Sequence, residues 1–250
     1  MNHDETSTAV SERQDIALRL LDRQHETEDV VSFHFEPDRP VAYRAGQFLH
    51  YTLPHPDVDD RGIERYFTIA SAPSESSIAL TTRLPRESSS FKQALARMEP
   101  GTVISVSEPS GRFVYRDGQP RAVFIAGGIG ITPFRSILVE LSLVPVDAEI
   151  TLLYANRTPD IAFRPLFDSL VRAHPRLEVV YVVSQPTAGW TGSVGRIDAA
   201  FIARYVPEVT APLFYVSGPE AMVKTIGLAL ADLGVRRERI KRESFPGYGA

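Results

Sequence analysis

The stretch Arg121-Ala122-Val123-Phe124-Ile125-Ala126-Gly127-Gly128-Ile129-Gly130-Ile131-Thr132-Pro133 most narrows what this chain can fold into. An apolar strand runs into glycines and then into a proline that opens a helix. That arrangement gathers unpaired backbone N–H groups at the positive end of a helix dipole, which suits an anion such as phosphate. Pro133 fits the first helical turn, where its missing N–H is not needed. The usual dinucleotide fingerprint has a third glycine where Pro133 stands and an acidic residue about 20 residues further on. Neither is present here, and the next strand, Glu149 to Ala155, ends in Asn156-Arg157. An ordinary NAD dehydrogenase is disfavoured; a nucleotide ligand stays open.

Downstream of Asp117-Gly118-Gln119-Pro120, apolar strands alternate with helical patterns. Strands are expected at Ala122 to Ala126, Glu149 to Ala155, Leu177 to Ser184 and Leu213 to Ser217. Helices are expected near Pro133 to Leu143, Arg164 to Ala173, Asp198 to Tyr205 and Pro219 to Leu233. Apolar strands joined by helical crossovers imply a parallel, doubly wound α/β sheet. Upstream, short strands separated by turn residues run at Asp15 to Arg23, Val30 to Glu36, Phe48 to Leu53, Arg65 to Ala70, Ile78 to Leu84 and Val103 to Ser107, the mark of an antiparallel barrel or sandwich. One helix interrupts them, capped by Ser88-Ser89-Ser90 and stopped at Pro100-Gly101. The expected organisation is a flexible tail over 1–14, a barrel over 15–117 and an α/β unit over 118–250.

Composition removes several function classes. A net charge of -4 gives no basic footprint for nucleic acid, and no stretch reaches the roughly 18 apolar residues that span a bilayer. The polar start, Met1 to Arg13, lacks the apolar core of a signal peptide, so a cytoplasmic location is the default. With no cysteine, this sequence holds no disulfide, thiol nucleophile or thiolate-held metal centre. His50 and His55 near Asp57, Asp59 and Asp60 read as a solvated, proline-broken loop, and no metal is expected. A hydrolase is disfavoured because no G-x-S-x-G elbow occurs and Ser193 has no evident histidine partner.

Ligands of open parallel sheets sit beyond the carboxyl ends of the strands. Ser217-Gly218-Pro219 repeats the strand, glycine and proline logic of the first turn, with Glu220 following, so two helix starts could face one extended ligand. In the barrel half, Arg65-Tyr66-Phe67-Thr68 combines a guanidinium for phosphate with aromatic faces for a planar ring. Arg83 precedes the serine-capped helix start. Two anion sites at a barrel rim would hold a pyrophosphate.

With Arg65-Tyr66-Phe67-Thr68, Ser90, Leu95, Gly101, Gly111-Arg112-Phe113, Gly127 to Pro133, Ser217-Gly218-Pro219 and Glu243-Ser244-Phe245-Pro246-Gly247-Tyr248 in this order, the chain resembles the ferredoxin-NADP reductase family from about residue 15 onward. The resemblance implies an antiparallel Greek-key flavin barrel followed by the nucleotide-binding α/β unit. It implies that Arg65 binds the flavin pyrophosphate, with Tyr66 beside it, that Phe67 lies against the isoalloxazine, and that Thr68 hydrogen-bonds near its N5. Ser89 and Ser90, assisted by Arg83, would take the phosphates. Gly128, Gly130, Thr132 and Pro133 would seat the nicotinamide nucleotide, with Ser217, Gly218 and Pro219 near its ring. Glu243 and Phe245 would complete the site, making Thr68, Ser217 and Glu243 the catalytic set.

Ser217 stands where a cysteine is frequent, and Pro85-Arg86-Glu87-Ser88 lacks the usual glycine, so FAD is implied with FMN as the alternative. The implied reaction is hydride transfer from NADH or NADPH to the flavin. Electrons then pass singly to a separate ferredoxin, flavodoxin, oxygenase component or small acceptor, from a chain expected to be a monomer. Gln185 after Ser184 favours NADH; Arg157 and Arg196 stand against it. The run Arg236-Arg237-Glu238-Arg239-Ile240-Lys241-Arg242 reads as a solvated helix end, with docking of an acidic partner as the sharper reading. A non-catalytic flavin- and nucleotide-binding regulatory subunit is the competing function.

Overall fold

The computed structural model describes residues 15–143 and 147–245; the tail expected over 1–14 and the segment Pro246-Gly247-Tyr248 lie outside the described residues. The first half forms strands β1 (Ile16–His25), β2 (Val30–Pro37), β3 (Phe48–Thr52), β4 (Glu64–Thr68), β5 (Ile78–Arg83) and β6 (Val103–Val106). They pair antiparallel in the order β4-β3-β6-β1-β2-β5. The two outer strands meet just past β4, where Ile69 bridges Leu80 and the Ala70 N–H donates to the Ala79 carbonyl at 2.8 Å, closing a barrel. Alternation sends Leu18, Phe33, Phe35, Leu49, Tyr51 and Ile104 into its core. Helix α1 (Ser90–Arg97), N-capped by Ser89, adds Phe91 and Leu95 to that core. Each such side chain contributes about 2 kcal/mol of burial.

The second half contains β7 (Arg121–Gly127), α2 (Thr132–Leu141), β8 (Glu149–Asn156), α3 (Arg164–Ala173), β9 (Leu177–Val183), β10 (Ser193–Val194), α4 (Ala199–Tyr205), β11 (Leu213–Pro219), α5 (Glu220–Asp232) and β12 (Ile240–Phe245). The strands are parallel in the order β10-β9-β8-β7-β11-β12. Both faces are apolar: Phe124, Leu152 and Tyr215 pack under α2 and α3 with Phe134, Ile137 and Phe167, whereas Val123, Ile125 and Val216 pack with Ile202, Val223, Ile226 and Leu230 of α4 and α5. This is the doubly wound arrangement. The order in which strands are added reverses between β7 and β11, so their carboxyl ends mark the switch point where such sheets take ligands.

Two expectations need correction. The basic run Arg236 to Arg242 is not a helix end: a short 3-10 turn (Arg237–Arg239) leads directly into β12, which pairs with β11. A single neighbouring strand supplies its ladder, so the strand needs no apolar alternation and kept a charged sequence. The loop around Asp59 is not merely solvated either. The Asp59 carboxylate accepts the Ser90 backbone N–H at 2.8 Å and lies 3.4 Å from Arg65, and the Ser90 N–H in particular holds its carboxyl below the usual range.

Helix α2 locks the two halves together. Arg135 donates to the Ala70 carbonyl at 3.1 Å and forms a two-pronged ion pair with Glu75, one bond of which is 2.8 Å. Ser136 donates to the Ser71 carbonyl at 2.5 Å. Burial would raise the Glu75 carboxyl, but Arg135 and the Ala72 N–H more than offset it and hold it below its ordinary range. Arg135→Ala leaves the Glu75 carboxylate, with its side chain about one-third exposed, without its cation. The expected loss is about 2 kcal/mol in unfolding free energy, read from urea denaturation midpoints; a midpoint equal to wild type would contradict this account of the lock.

Candidate active site

A cavity of about 920 Å³ opens between the barrel and the parallel sheet. Its walls carry Arg65, Tyr66, Phe67 and Thr68 from β4, Thr81 and Thr82 from β5, Ser88, Ser89 and Lys92 around the start of α1, Ile129 and Thr132 from the glycine turn, and Glu243 to Phe245 from β12. The volume suits an extended ligand with two planar ends.

Arg65 is fixed before any ligand arrives. One terminal nitrogen faces the carbonyls of Arg61 at 2.7 Å, Gly62 at 3.0 Å and Glu64 at 2.6 Å, and the guanidinium carbon stands 5.3 Å from the Phe91 ring centre. Strand alternation separates the two aromatics. Phe67 is half-buried against Tyr51 and Phe91, at 5.7 and 5.9 Å between centres, whereas Tyr66 is 64% exposed and stacks on His50 at 4.2 Å. Tyr66 therefore presents the more open ring.

The glycine turn is tighter than a plain strand-to-helix connection. Residues Gly128–Ile131 form a 3-10 turn that merges into α2, with Pro133 in its first turn and the Thr132 hydroxyl donating to the Ile129 carbonyl at 3.2 Å. A Cβ on Gly130 would sit 2.4 Å from the Ser217 carbonyl oxygen and 2.6 Å from the Gly218 nitrogen. Glycine at 130 thus lets the ends of β7 and β11 touch. Ser217 pairs in register with Glu243 on one side and with Ala126 on the other. The parallel ladder holds the glycine turn, the serine and the carboxylate in one row.

Three buried polar atoms in this region lack a hydrogen-bond partner among the described residues: Thr68 Oγ1, Ser217 Oγ and Glu243 Oε2. They come from three strands, and an unmet buried polar group costs about 1–3 kcal/mol. Their number and convergence fit a polar planar ligand that supplies the missing partners. Burial pushes the Glu243 carboxyl up to about 7.

Of the residues singled out in the sequence, the fold brings Arg65, Tyr66, Phe67, Thr68, Ser89, Thr132, Glu243 and Phe245 to the cavity wall. Gly128, Gly130, Pro133, Ser217, Gly218 and Pro219 form the strand-end ridge behind it. Arg83 and Ser90 are not brought to the wall. Arg83 is paired with Asp29, at 3.0 Å through Nε, and the Ser90 hydroxyl bonds His55 Nε2 at 2.9 Å and the Asp59 N–H at 3.0 Å. Arg86 and Lys92, which sequence reasoning passed over, supply cationic groups on the wall near α1. Arg86 sits in the Pro85 to Ser88 segment noted for its missing glycine, which was the available signal. No group of three or more His, Cys, Asp or Glu placed to hold a metal occurs among the described residues, and none of their helices is long and apolar enough to cross a membrane.

Comparison with known proteins agrees with this geometry. Residues 17–115 match the oxidoreductase FAD-binding domain and residues 124–227 the oxidoreductase NAD-binding domain. Ferredoxin--NADP reductase B of Sorangium cellulosum is 29% identical over 86% of this chain and 90% of its own length. The chain belongs to the ferredoxin-NADP reductase family. It is an NAD(P)H-dependent flavin oxidoreductase, with FAD and NAD(P)H as its cofactors. The cytochrome b5 reductase domain of Ulva prolifera nitrate reductase shares the fold with a TM-score of 0.80, at 26% identity over 92% of this chain and 97% of that one. A flavohemoprotein of Pseudomonas aeruginosa is 26% identical over 91% of this chain, which spans only 58% of that protein's length.

The raised carboxyl makes a testable statement about this reductase. Because Glu243 titrates near 7 when folded and at its ordinary 4.5 when unfolded, the folded state holds the extra proton between those values. Stability therefore falls as pH rises from about 4.5 to 7, by up to about 3 kcal/mol. Glu243→Gln is expected to remove that slope and to melt higher than wild type at pH 8. Parallel melting curves for the two proteins across this range would refute it.

Proposed function

We propose that this reductase takes hydride from NADH or NADPH on to bound FAD and hands the two electrons singly to a separate acceptor. The observation that carries the reading is the convergence of unpartnered Thr68, Ser217 and Glu243 atoms where the two sheets meet. Bound FAD supplies a ring that accepts two electrons with a proton and releases the electrons one at a time. The chain's own residues supply position and exclusion of water.

Arg65, with Arg86 and Lys92 of the same wall, would neutralise the pyrophosphate beside the start of α1. Tyr66 and Phe67 would line the ring, and the buried Thr68 hydroxyl, which has no protein partner, would donate to a ring nitrogen. The contact between Gly130 and Ser217 sets the depth at which a nicotinamide can enter, and Ser217 Oγ meets its polar edge. Glu243 and Phe245 close the remaining side and keep water out.

The acceptor is a one-electron carrier: ferredoxin, flavodoxin, an oxygenase component or a small molecule. The names of relatives support a range, one with ferredoxin and one with cytochrome b5. With no cysteine in 250 residues, no thiolate-held iron–sulfur cluster takes the electrons within this sequence. NADH is the favoured reductant, because Gln185 rather than a guanidinium follows Ser184 at the end of β9.

Anaerobic titration with each nucleotide tests the reading: the yellow FAD protein is expected to bleach, and bleaching by neither would overturn it. NADH is expected to give the higher kcat/KM. A preference for NADPH above about tenfold, or 1.4 kcal/mol, would reverse that choice. Thr68→Val is expected to slow bleaching by about a hundredfold while FAD stays bound.

A further inference from the structure

We propose that Thr81, Ser32 and Glu26 form a one-way hydrogen-bonded relay that carries a proton out of the cavity to the protein surface; the inference rests on the proposed function. Thr81 and Ser32 are register partners on β5 and β2, and their hydroxyl oxygens are 2.8 Å apart. Ser32 Oγ also lies 2.7 Å from Glu26 Oε1. Both hydroxyls are buried, Thr81 faces the cavity, and Glu26 is half-buried at the turn after β1.

The polarity of this chain follows from counting protons. A carboxylate only accepts, so Ser32 spends its one proton on Glu26. In the Ser32–Thr81 contact Thr81 must then be the donor, and its hydroxyl has only lone pairs left to offer the cavity. The relay is therefore set to receive a proton from inside and deliver one outside.

Its inner end is also in the right place. The barrel closes through the Ile69–Leu80 bridge, and the next residues outward on the two strands, Thr68 and Thr81, both line the cavity. Thr68 is the residue assigned to a ring nitrogen.

The reaction needs such an outlet. One NAD(P)H and two oxidised one-electron acceptors yield NAD(P)⁺, two reduced acceptors and one H⁺. The hydride brings two electrons and one proton; the two electrons leave to the acceptors and one proton is left to leave the cavity. Thr81 oxygen takes that proton, the Thr81 proton passes to Ser32, the Ser32 proton passes to Glu26, and Glu26 releases it to water. Rotation of the two hydroxyls resets the relay.

The test uses the full chain loaded with FAD. The flavin is reduced in one arm by NADH and in the other by light with EDTA, then mixed rapidly with ferricyanide in weakly buffered solution containing a pH-indicator dye. Flavin colour and proton release are thus timed separately. Thr81→Val and Ser32→Ala are each expected to make release lag electron departure by roughly tenfold or more, with Thr81→Ser restoring the wild-type timing. Glu26→Gln, at the half-exposed rim, is expected to produce the same lag. In flavin-free protein, the same substitution is expected to shift the Ser32 hydroxyl proton resonance.

Wild-type release in both Thr81→Val and Ser32→Ala overturns the relay. So does a Ser32 resonance indifferent to Glu26→Gln. If light but not NADH or NADPH reduces the flavin, the proposed function fails while the light arm still decides the relay.

Discussion

The structure depends on the lock between helix α2 and the barrel seam. The residues that follow Thr68, namely Ala70, Ser71 and Glu75, are those that Arg135 and Ser136 hold. Arg135 and Ser136 in turn follow the glycine turn by one helical turn. Strand β4 and the glycine turn, drawn from different halves of the chain, are thereby fixed relative to one another within a few residues of the cavity wall. Hydride transfer tolerates little error in ring separation, so this short mechanical path matters more than the stability of either half alone.

The rest of the site is held by ladders rather than by loops. Ser217 and Glu243 are neighbours in parallel register, and the glycine turn abuts the end of β11 through Gly130. Positions set by adjacent strands cannot drift independently. That rigidity lets the fold sustain three unpartnered buried polar atoms that a softer site would rearrange to satisfy.

Much of this was legible in the sequence, for identifiable reasons. Long apolar strands between helical patterns announced the parallel sheet, and strand-glycine-proline junctions marked its ligand end. β10, with two residues, and β12, with Ile240-Lys241-Arg242-Glu243, carry no such pattern, because edge strands are paired on one side and need no continuous apolar run. Arg83 looked like a phosphate ligand because it adjoins a capped helix; its partner Asp29 lies 54 residues upstream and only the β2–β5 pairing reveals it. The Asp59 loop likewise hid its tie to Arg65 and Ser90. Thr81 and Ser32 gave no local signal, since a relay depends on register between distant strands.

The charged edge has a consequence of its own. A parallel sheet with helices on both faces still exposes two rows of unsatisfied main-chain groups, which could recruit a strand from another molecule. Here one margin stops after two residues, and the other carries the cationic Lys241 and Arg242. Any intruding chain would have to align against those adjacent positive charges and desolvate them. The same residues that obscure β12 from a reader of the sequence therefore guard the protein against self-templated polymerisation.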